Sequence, residues 1–225
     1  AVEQAGLKAP AVIVVGKVAR LRPKLRWFED RPLFGKRIVV TRARAQASDL
    51  VSRLSALGAD CLMAPAIEIV DPAPKQVARL QDAVADLSRY DWLVFTSVNG
   101  VDRFFQHLDH QGLDARALGH LQTATIGPAT AARLRAQGLK SDLTPETYRA
   151  ESVVAAFAGR DMKDVKVLLP RAAQARPILP VALTEMGARV DEIVVYETKP
   201  VAEVAQALIQ ELEGGSIDLV TFTSS

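Results

Sequence analysis

Five short stretches of the chain hold residue types that bind anions: Thr41-Arg42, Thr96-Ser97-Val98-Asn99-Gly100, Gly127-Pro128-Ala129-Thr130, Arg171 and Thr223-Ser224-Ser225. Each follows a short apolar run, where an open α/β sheet places the carboxyl end of a strand and the free N–H groups of the next helix. Hydroxyls, glycine N–H groups and guanidinium groups at such ends suit carboxylates. A Ser or Thr there also serves as an ordinary helix N-cap, but five such ends, two of them with arginine, shift the balance toward a ligand. Arg42 and Arg171 read as helix-start residues, where the helix macrodipole opposes a cation; an electrostatic cost met twice points to an anionic partner. Tyr196 lies in the run Ile193-Val194-Val195-Tyr196-Glu197-Thr198. A phenol with an ordinary pKa near ~10 is a protonated donor at neutral pH, suited to assist a leaving group. An amphipathic tyrosine at a sheet edge is the equally open structural reading.

Other machinery is missing. There is no G-x-G-x-x-G after the first strand, no G-x-x-x-x-G-K-[ST] and no G-x-S-x-G. His107 and His110 are three residues apart, a spacing that could suit a metal, with His120 nearby, but no carboxylate-rich motif accompanies them, and we expect no metal site. Glu68 and Glu197 are read as strand residues near linkers rather than as an acid/base pair. Cys61 is the only cysteine, so neither an intrachain disulfide nor a thiolate cluster can form. A reducing, cytoplasmic compartment is expected.

The elements that must position these residues show as β-branched runs alternating with segments of helical period, the pattern of an α/β protein with mainly parallel sheets. Strands are expected at Arg37–Thr41, Asp91–Thr96, Gln122–Ile126, Val165–Leu169, Arg189–Glu197 and Ile217–Thr223. Helices are expected at Gln46–Leu57, Thr130–Gln137 and Ile178–Met186, each stopped by a glycine, Gly58, Gly138 and Gly187.

An internal repeat underlies this order. Arg171 follows Arg42 by 129 residues, and the same offset sets Leu54 on Leu183, Gly58-Ala59 on Gly187-Ala188 and Glu68 on Glu197. Phe95-Thr96-Ser97 matches Phe222-Thr223-Ser224 at 127 residues. After Thr96-Ser97 the first half continues through a helix, a strand ending Ile126-Gly127-Pro128 and another helix, whereas the second stops at Ser225. We expect the second half to be cut short.

With 225 residues, 49% hydrophobic and 24% charged, the chain can bury a sizeable core as one large or two small domains, and its composition excludes disorder and disulfide scaffolds. The net charge is +2, yet Lys17–Arg37 carries eight basic residues against Glu29 and Asp30, so the remainder is net acidic. Without a basic face interleaved with aromatics, no nucleic-acid partner is expected. The apolar run Ala9–Val15 is too short for a membrane span of ~20 residues, and no membrane partner is expected. Ala9–Val18 reads as a strand and Leu21–Phe34 as a basic, proline-punctuated linker.

From Gly35 to Ser225 the chain resembles the uroporphyrinogen-III synthase family. The resemblance runs through Val40-Thr41-Arg42, Leu57-Gly58-Ala59, Pro65, Phe95-Thr96-Ser97 with Asn99-Gly100-Val101, Ile126-Gly127-Pro128-Ala129-Thr130-Ala131, Ala150-Glu151-Ser152, Arg171, Val195-Tyr196-Glu197-Thr198 and Phe222-Thr223-Ser224. Ala9–Val18 followed by Leu25-Arg26-Trp27-Phe28 resembles the C-terminal end of a uroporphyrinogen-III C-methyltransferase. The resemblance implies two flavodoxin-like α/β domains with parallel sheets, joined by a two-stranded ladder with the substrate in the cleft between them. One domain would combine residues 35–70 and 199–225, the other would be residues 71–198, and residues 1–34 would be the methyltransferase tail and linker.

The implied reaction is cyclisation of the linear tetrapyrrole hydroxymethylbilane, with inversion of ring D and loss of water, without metal or organic cofactor. Tyr196 would be the proton donor to the departing hydroxyl. Arg42, Thr96, Ser97, Asn99, Gly127, Thr130, Arg171, Thr223, Ser224 and Ser225 would bind the substrate's carboxylates. A fused methyltransferase domain is an implied partner. A non-catalytic tetrapyrrole-binding module, and a scaffold for the methyltransferase, are the competing readings.

Overall fold

The computed structural model describes residues 12, 14–42 and 44–222. In chain order its elements are α1 (Arg22–Leu25), β1 (Arg37–Val40), α2 (Arg44–Ala56), β2 (Asp60–Met63), β3 (Ile67–Val70), α3 (Pro74–Ala85), β4 (Trp92–Phe95), α4 (Val98–His110), β5 (Gln122–Thr125), α5 (Pro128–Ala136), α6 (Ala150–Phe157), β6 (Lys166–Ala172), α7 (Ile178–Glu185), β7 (Arg189–Pro200), α8 (Ala202–Glu213) and β8 (Leu219–Thr221). The chain divides into two compact units, one of the residues up to 67 together with those from 200 onward, the other of residues 68–199.

The smaller unit holds a three-stranded sheet in the order β2-β1-β8, with β1 parallel to both neighbours. Asp218 ties its ends: its carboxylate accepts from the Arg37 backbone N–H and from Lys36 Nζ, each at 2.8 Å, which holds the carboxyl below the usual carboxylate range.

The larger unit holds a five-stranded sheet in the order β3-β7-β6-β4-β5, with β4, β5, β6 and β7 parallel. Its central strands are apolar throughout because helices cover both faces. Strand alternation assigns the sides: Leu93, Phe95 and Leu168 pack with Leu80, Phe104 and Leu108 of α3 and α4, while Trp92, Val94, Val167 and Leu169 pack with Val153, Phe157, Leu179 and Leu183 of α6 and α7. Edge-to-face ring pairs sit in each layer, Phe95 with Phe104 at 5.6 Å and Trp92 with Phe157 at 4.8 Å.

The internal repeat is written into the strand registers. Arg37 faces Asp60 as Lys166 faces Arg189, and Ile38 faces Leu219 as Val167 faces Trp92. The three glycine stops are left-handed, with φ +97° at Gly58, +93° at Gly138 and +95° at Gly187. Each closes its helix with the same two bonds, as when Gly187 N–H donates to Thr184 C=O and Ala188 N–H to Leu183 C=O.

Two sequence expectations are corrected. Ala9–Val18 is not a strand where it is described: Val12, Val14 and Val15 are exposed, and Lys17–Leu21 is a 3-10 turn. Among the described residues no strand pairs with this segment, and an isolated apolar run needs such a ladder. Residues 9–11 and 13 lie outside the described residues. The strand expected to end at Leu169 runs on to Ala172, since β7 continues alongside it and pairs Arg171 with Val194.

Candidate functional site

In the larger unit, β6, β4 and β5 end side by side while β7 runs on past them, and Tyr196 of β7, Arg171, Thr96-Ser97 and Gly127 lie at these strand ends. Ser97 is the best-defined member. It is extended, caps α4, and its Oγ accepts from the Gly100 N–H at 2.9 Å. The Tyr196 hydroxyl donates to the same oxygen at 3.0 Å. With both lone pairs of Ser97 Oγ engaged, its own proton remains as a donor. Gly100 packs closely here: a Cβ there would lie 3.1 Å from Ser97 Oγ and 3.3 Å from the Pro170 carbonyl oxygen.

Tyr196 is 7% exposed, and its backbone is fixed as firmly as its ring. The Ala173 N–H donates to its carbonyl at 3.0 Å, and Gln174 bonds both backbone groups of Thr198, accepting at 3.3 Å and donating at 3.4 Å. A register shift between Arg171 and Ala172 leaves Val195 as the extra residue of β7, so that Ala172 stands opposite Tyr196.

Arg171 departs from its expected setting. It lies inside β6, and α7 begins only at Ile178, so the helix macrodipole does not oppose its charge. It is 2% exposed. Its Nη2 donates to the Arg176 carbonyl at 2.5 Å and its Nη1 lies 3.4 Å from Glu192 Oε1, while Nε and Nη1 meet no hydrogen-bond acceptor among the described residues. Burial pushes its pKa down, opposed by Glu192 and Tyr196.

The remaining expected residues are spread more widely. Thr96 and Asn99 are half-buried beside Ser97, Asn99 within the first turn of α4. Gly127 is the extended N-cap of α5, and Thr130 is buried in that helix's first turn. Arg42 belongs to the smaller unit and is exposed. The neighbouring Thr41 donates through Oγ1 to the Thr221 carbonyl at 2.7 Å. Thr223, Ser224 and Ser225 lie outside the described residues. His107 and His110 meet edge to face at 6.2 Å while His120 bonds the Leu87 carbonyl, so the three histidines do not converge. Among the described residues no group of three His, Cys, Asp or Glu side chains is placed to hold a metal, and no helix is long and apolar enough to cross a membrane.

Residues 140–148 went unremarked in the sequence. Asp142 N–H and Leu143 N–H donate to the Thr123 carbonyl, Leu143 C=O accepts from Thr125 N–H, and Thr125 Oγ1 meets Ser141 and Thr144 at 3.0 and 2.8 Å. The segment thus runs along β5 and delivers Tyr148 over Gly127. An aromatic in the polar stretch Ser141–Arg149 between two helices was the available signal.

Comparison with known proteins decides the family. The family model described as uroporphyrinogen-III synthase HemD matches residues 48–225. The chain belongs to the uroporphyrinogen-III synthase family. It is 36% identical over 219 residues to the porphyrin biosynthesis protein HemD of Ruminiclostridium josui, covering 97% of this chain but only 43% of that protein's length. It is 32% identical over 197 residues to the uroporphyrinogen-III synthase of Synechococcus elongatus, covering 87% of this chain and 73% of the relative. The fold matches a mutant uroporphyrinogen III synthase of the extremely thermophilic bacterium Thermus thermophilus with a TM-score of 0.60 at 20% identity, over 84% of this chain and 73% of that one. The mixed α/β fold with parallel sheets is therefore that of the family.

Proposed function

We propose that the chain is a uroporphyrinogen-III synthase, a lyase that cyclises hydroxymethylbilane with inversion of ring D and loss of water. The hydrogen bond from the Tyr196 hydroxyl to Ser97 Oγ, at the ends of β6, β4 and β5, carries the reading. In the proposed step the Tyr196 proton passes to the departing hydroxyl, the carbon–oxygen bond breaks and water leaves. The Ser97 hydroxyl turns to donate to the developing phenolate. The methylene cation then bonds to ring D at its substituted carbon to give a spiro intermediate; the bond from that carbon to the methylene shared with ring C breaks, that methylene bonds to the free α-carbon of ring D, and the proton this carbon loses on rearomatisation returns to Tyr196. The protein's task is chiefly to hold the chain ends in that geometry, because the unassisted bilane closes to the type I isomer.

Thr96, Ser97, Asn99 and the α5 N-terminus at Gly127 and Thr130 would take carboxylates of the substrate in the larger unit, with Arg171 as the positive charge behind them. Arg42 and Thr223–Ser225 would serve in the smaller one. We further propose that residues 1–34 are the tail of a fused methyltransferase and the linker from it, a reading that rests on the resemblance of Ala9–Val18 and Leu25-Arg26-Trp27-Phe28. Cytoplasmic location is supported by the single free cysteine, Cys61. The test supplies freshly generated hydroxymethylbilane to the purified chain, oxidises the products and separates the porphyrin isomers; type III in excess of the protein-free control is expected, and the control's isomer pattern would refute the assignment.

A further inference from the structure

The carboxylate-binding groups leave the substrate's aromatic rings without a partner, and one residue outside that set meets the need. Tyr148 is 64% exposed, although its ring is seated against the backbone of Gly127. A Cβ on Gly127 would lie 2.7 Å from Tyr148 Cδ1, 3.0 Å from Cγ and 3.2 Å from Cβ. Gly127 itself has φ −179°, an extended backbone open to any residue, so conformation does not ask for glycine here; the ring does. Tyr148 is also held in place. Residues 141–144 are bonded along β5, and Thr147, just before the ring, bonds through Oγ1 to Ser152 Oγ of α6. The Cδ1 side of the ring lies at the strand end next to that of Ser97, and the residue is otherwise largely exposed.

We propose that Tyr148 is a substrate-binding residue, whose exposed ring stacks on a pyrrole of the open-chain tetrapyrrole while Gly127 supports it from behind. This rests on the synthase reading and assigns the part of the substrate that Tyr148 touches. Stacking needs an aromatic face and no hydroxyl. Truncation at so exposed a position leaves the core untouched, so lost function cannot be attributed to lost folding.

The experiment measures steady-state cyclisation and, separately, equilibrium dialysis of uroporphyrinogen III kept reduced, for the wild type, Y148A, Y148F and G127A. Y148A should raise KM and the dialysis Kd about five- to tenfold. Y148F should recover most of that loss. G127A, which displaces the ring, should move in the same direction as Y148A. A Y148A protein with unchanged KM and Kd overturns the proposal, as does a Y148F loss equal to that of Y148A. Should the wild type fail to form the type III isomer, the synthase reading fails instead, and dialysis still decides: weaker binding by Y148A supports the stack, whereas equal binding or none overturns it.

Discussion

The β1-α2-β2 unit and its later counterpart β6-α7-β7 share a register and a glycine stop, yet they carry different chemistry. In both, the first strand lies between the second and a strand from elsewhere in the chain, the later β8 in one sheet and the earlier β4 in the other. The first copy breaks at Ala64-Pro65-Ala66, so that β2 joins the three-stranded sheet and β3 the edge of the five-stranded one, whereas β7 runs unbroken from Arg189 to Pro200. Pro65, which has no N–H for a ladder, stands where the later copy has Val194. At the same offset Ile67 stands where Tyr196 does, and Thr41-Arg42 where Pro170-Arg171 do. Backbone pairing tolerates few changes across such a repeat, while strand ends are free to diverge, and only the later copy holds a phenol against a capping serine.

The largest expected effect belongs to that phenol. Y196F should lower kcat about 100-fold with the fold intact, the size of a lost general acid; stopped-flow measurement of bilane consumption checks it, and unchanged turnover would remove Tyr196 from the chemistry.

Next come the two arginines, which the repeat equates and the structure separates. R171A should destabilise the larger unit by about 2–3 kcal/mol, because the Arg176 carbonyl loses its donor and a cavity is left. R42A, at an exposed position, should change stability by less than about 1 kcal/mol. Urea unfolding separates the cases cleanly, since Trp92 reports on the larger unit and Trp27 on the smaller.

The equivalent glycines should behave alike. G58A and G187A each force a side chain into left-handed backbone at a cost of about 1–2 kcal/mol. The added methyls would crowd Arg31 and Phe34 in one copy and Lys163 in the other, so unequal shifts of the two transitions would expose a difference in packing that the shared register hides.

The smallest effect is on pH dependence, and it too divides the units. All three histidines fall between residues 107 and 120. Burial, then the neighbouring His110, hold His107 below its ordinary pKa, so the folded protein binds fewer protons there than the unfolded chain. Stability of the larger unit should therefore be full above about pH 6.5 and decline as pH falls through the lowered value. H107Q should flatten that decline, and Trp27 should report none of it.

Much of this was legible in the residues. The buried strands showed because they are continuous apolar runs, and the glycine stops because left-handed backbone leaves little choice. The repeat showed because register constrains apolar spacing. The shallower strands β2 and β3 were not expected, since Asp60–Met63 and Ile67–Val70 are short, partly exposed and interrupted by proline. Arg171 was named as a site residue but its burial was hidden, because the strand boundary depended on how far β7 runs beside β6. Tyr148 was missed for a similar reason: its role arises from a segment laid along β5 by hydrogen bonds among Thr123, Thr125, Ser141 and Asp142, which no local pattern announces.

The central claim is that Tyr196 of the later copy, paired with Ser97 at the end of β4, directs ring closure. Its most direct test is the ratio of type III to type I porphyrin formed from hydroxymethylbilane by the wild type and by Y196F under identical conditions. The account expects type III to dominate with the wild type and the ratio to fall toward the protein-free value with Y196F. A wild type that yields only type I, or a Y196F protein that matches the wild type in both rate and isomer ratio, would contradict it.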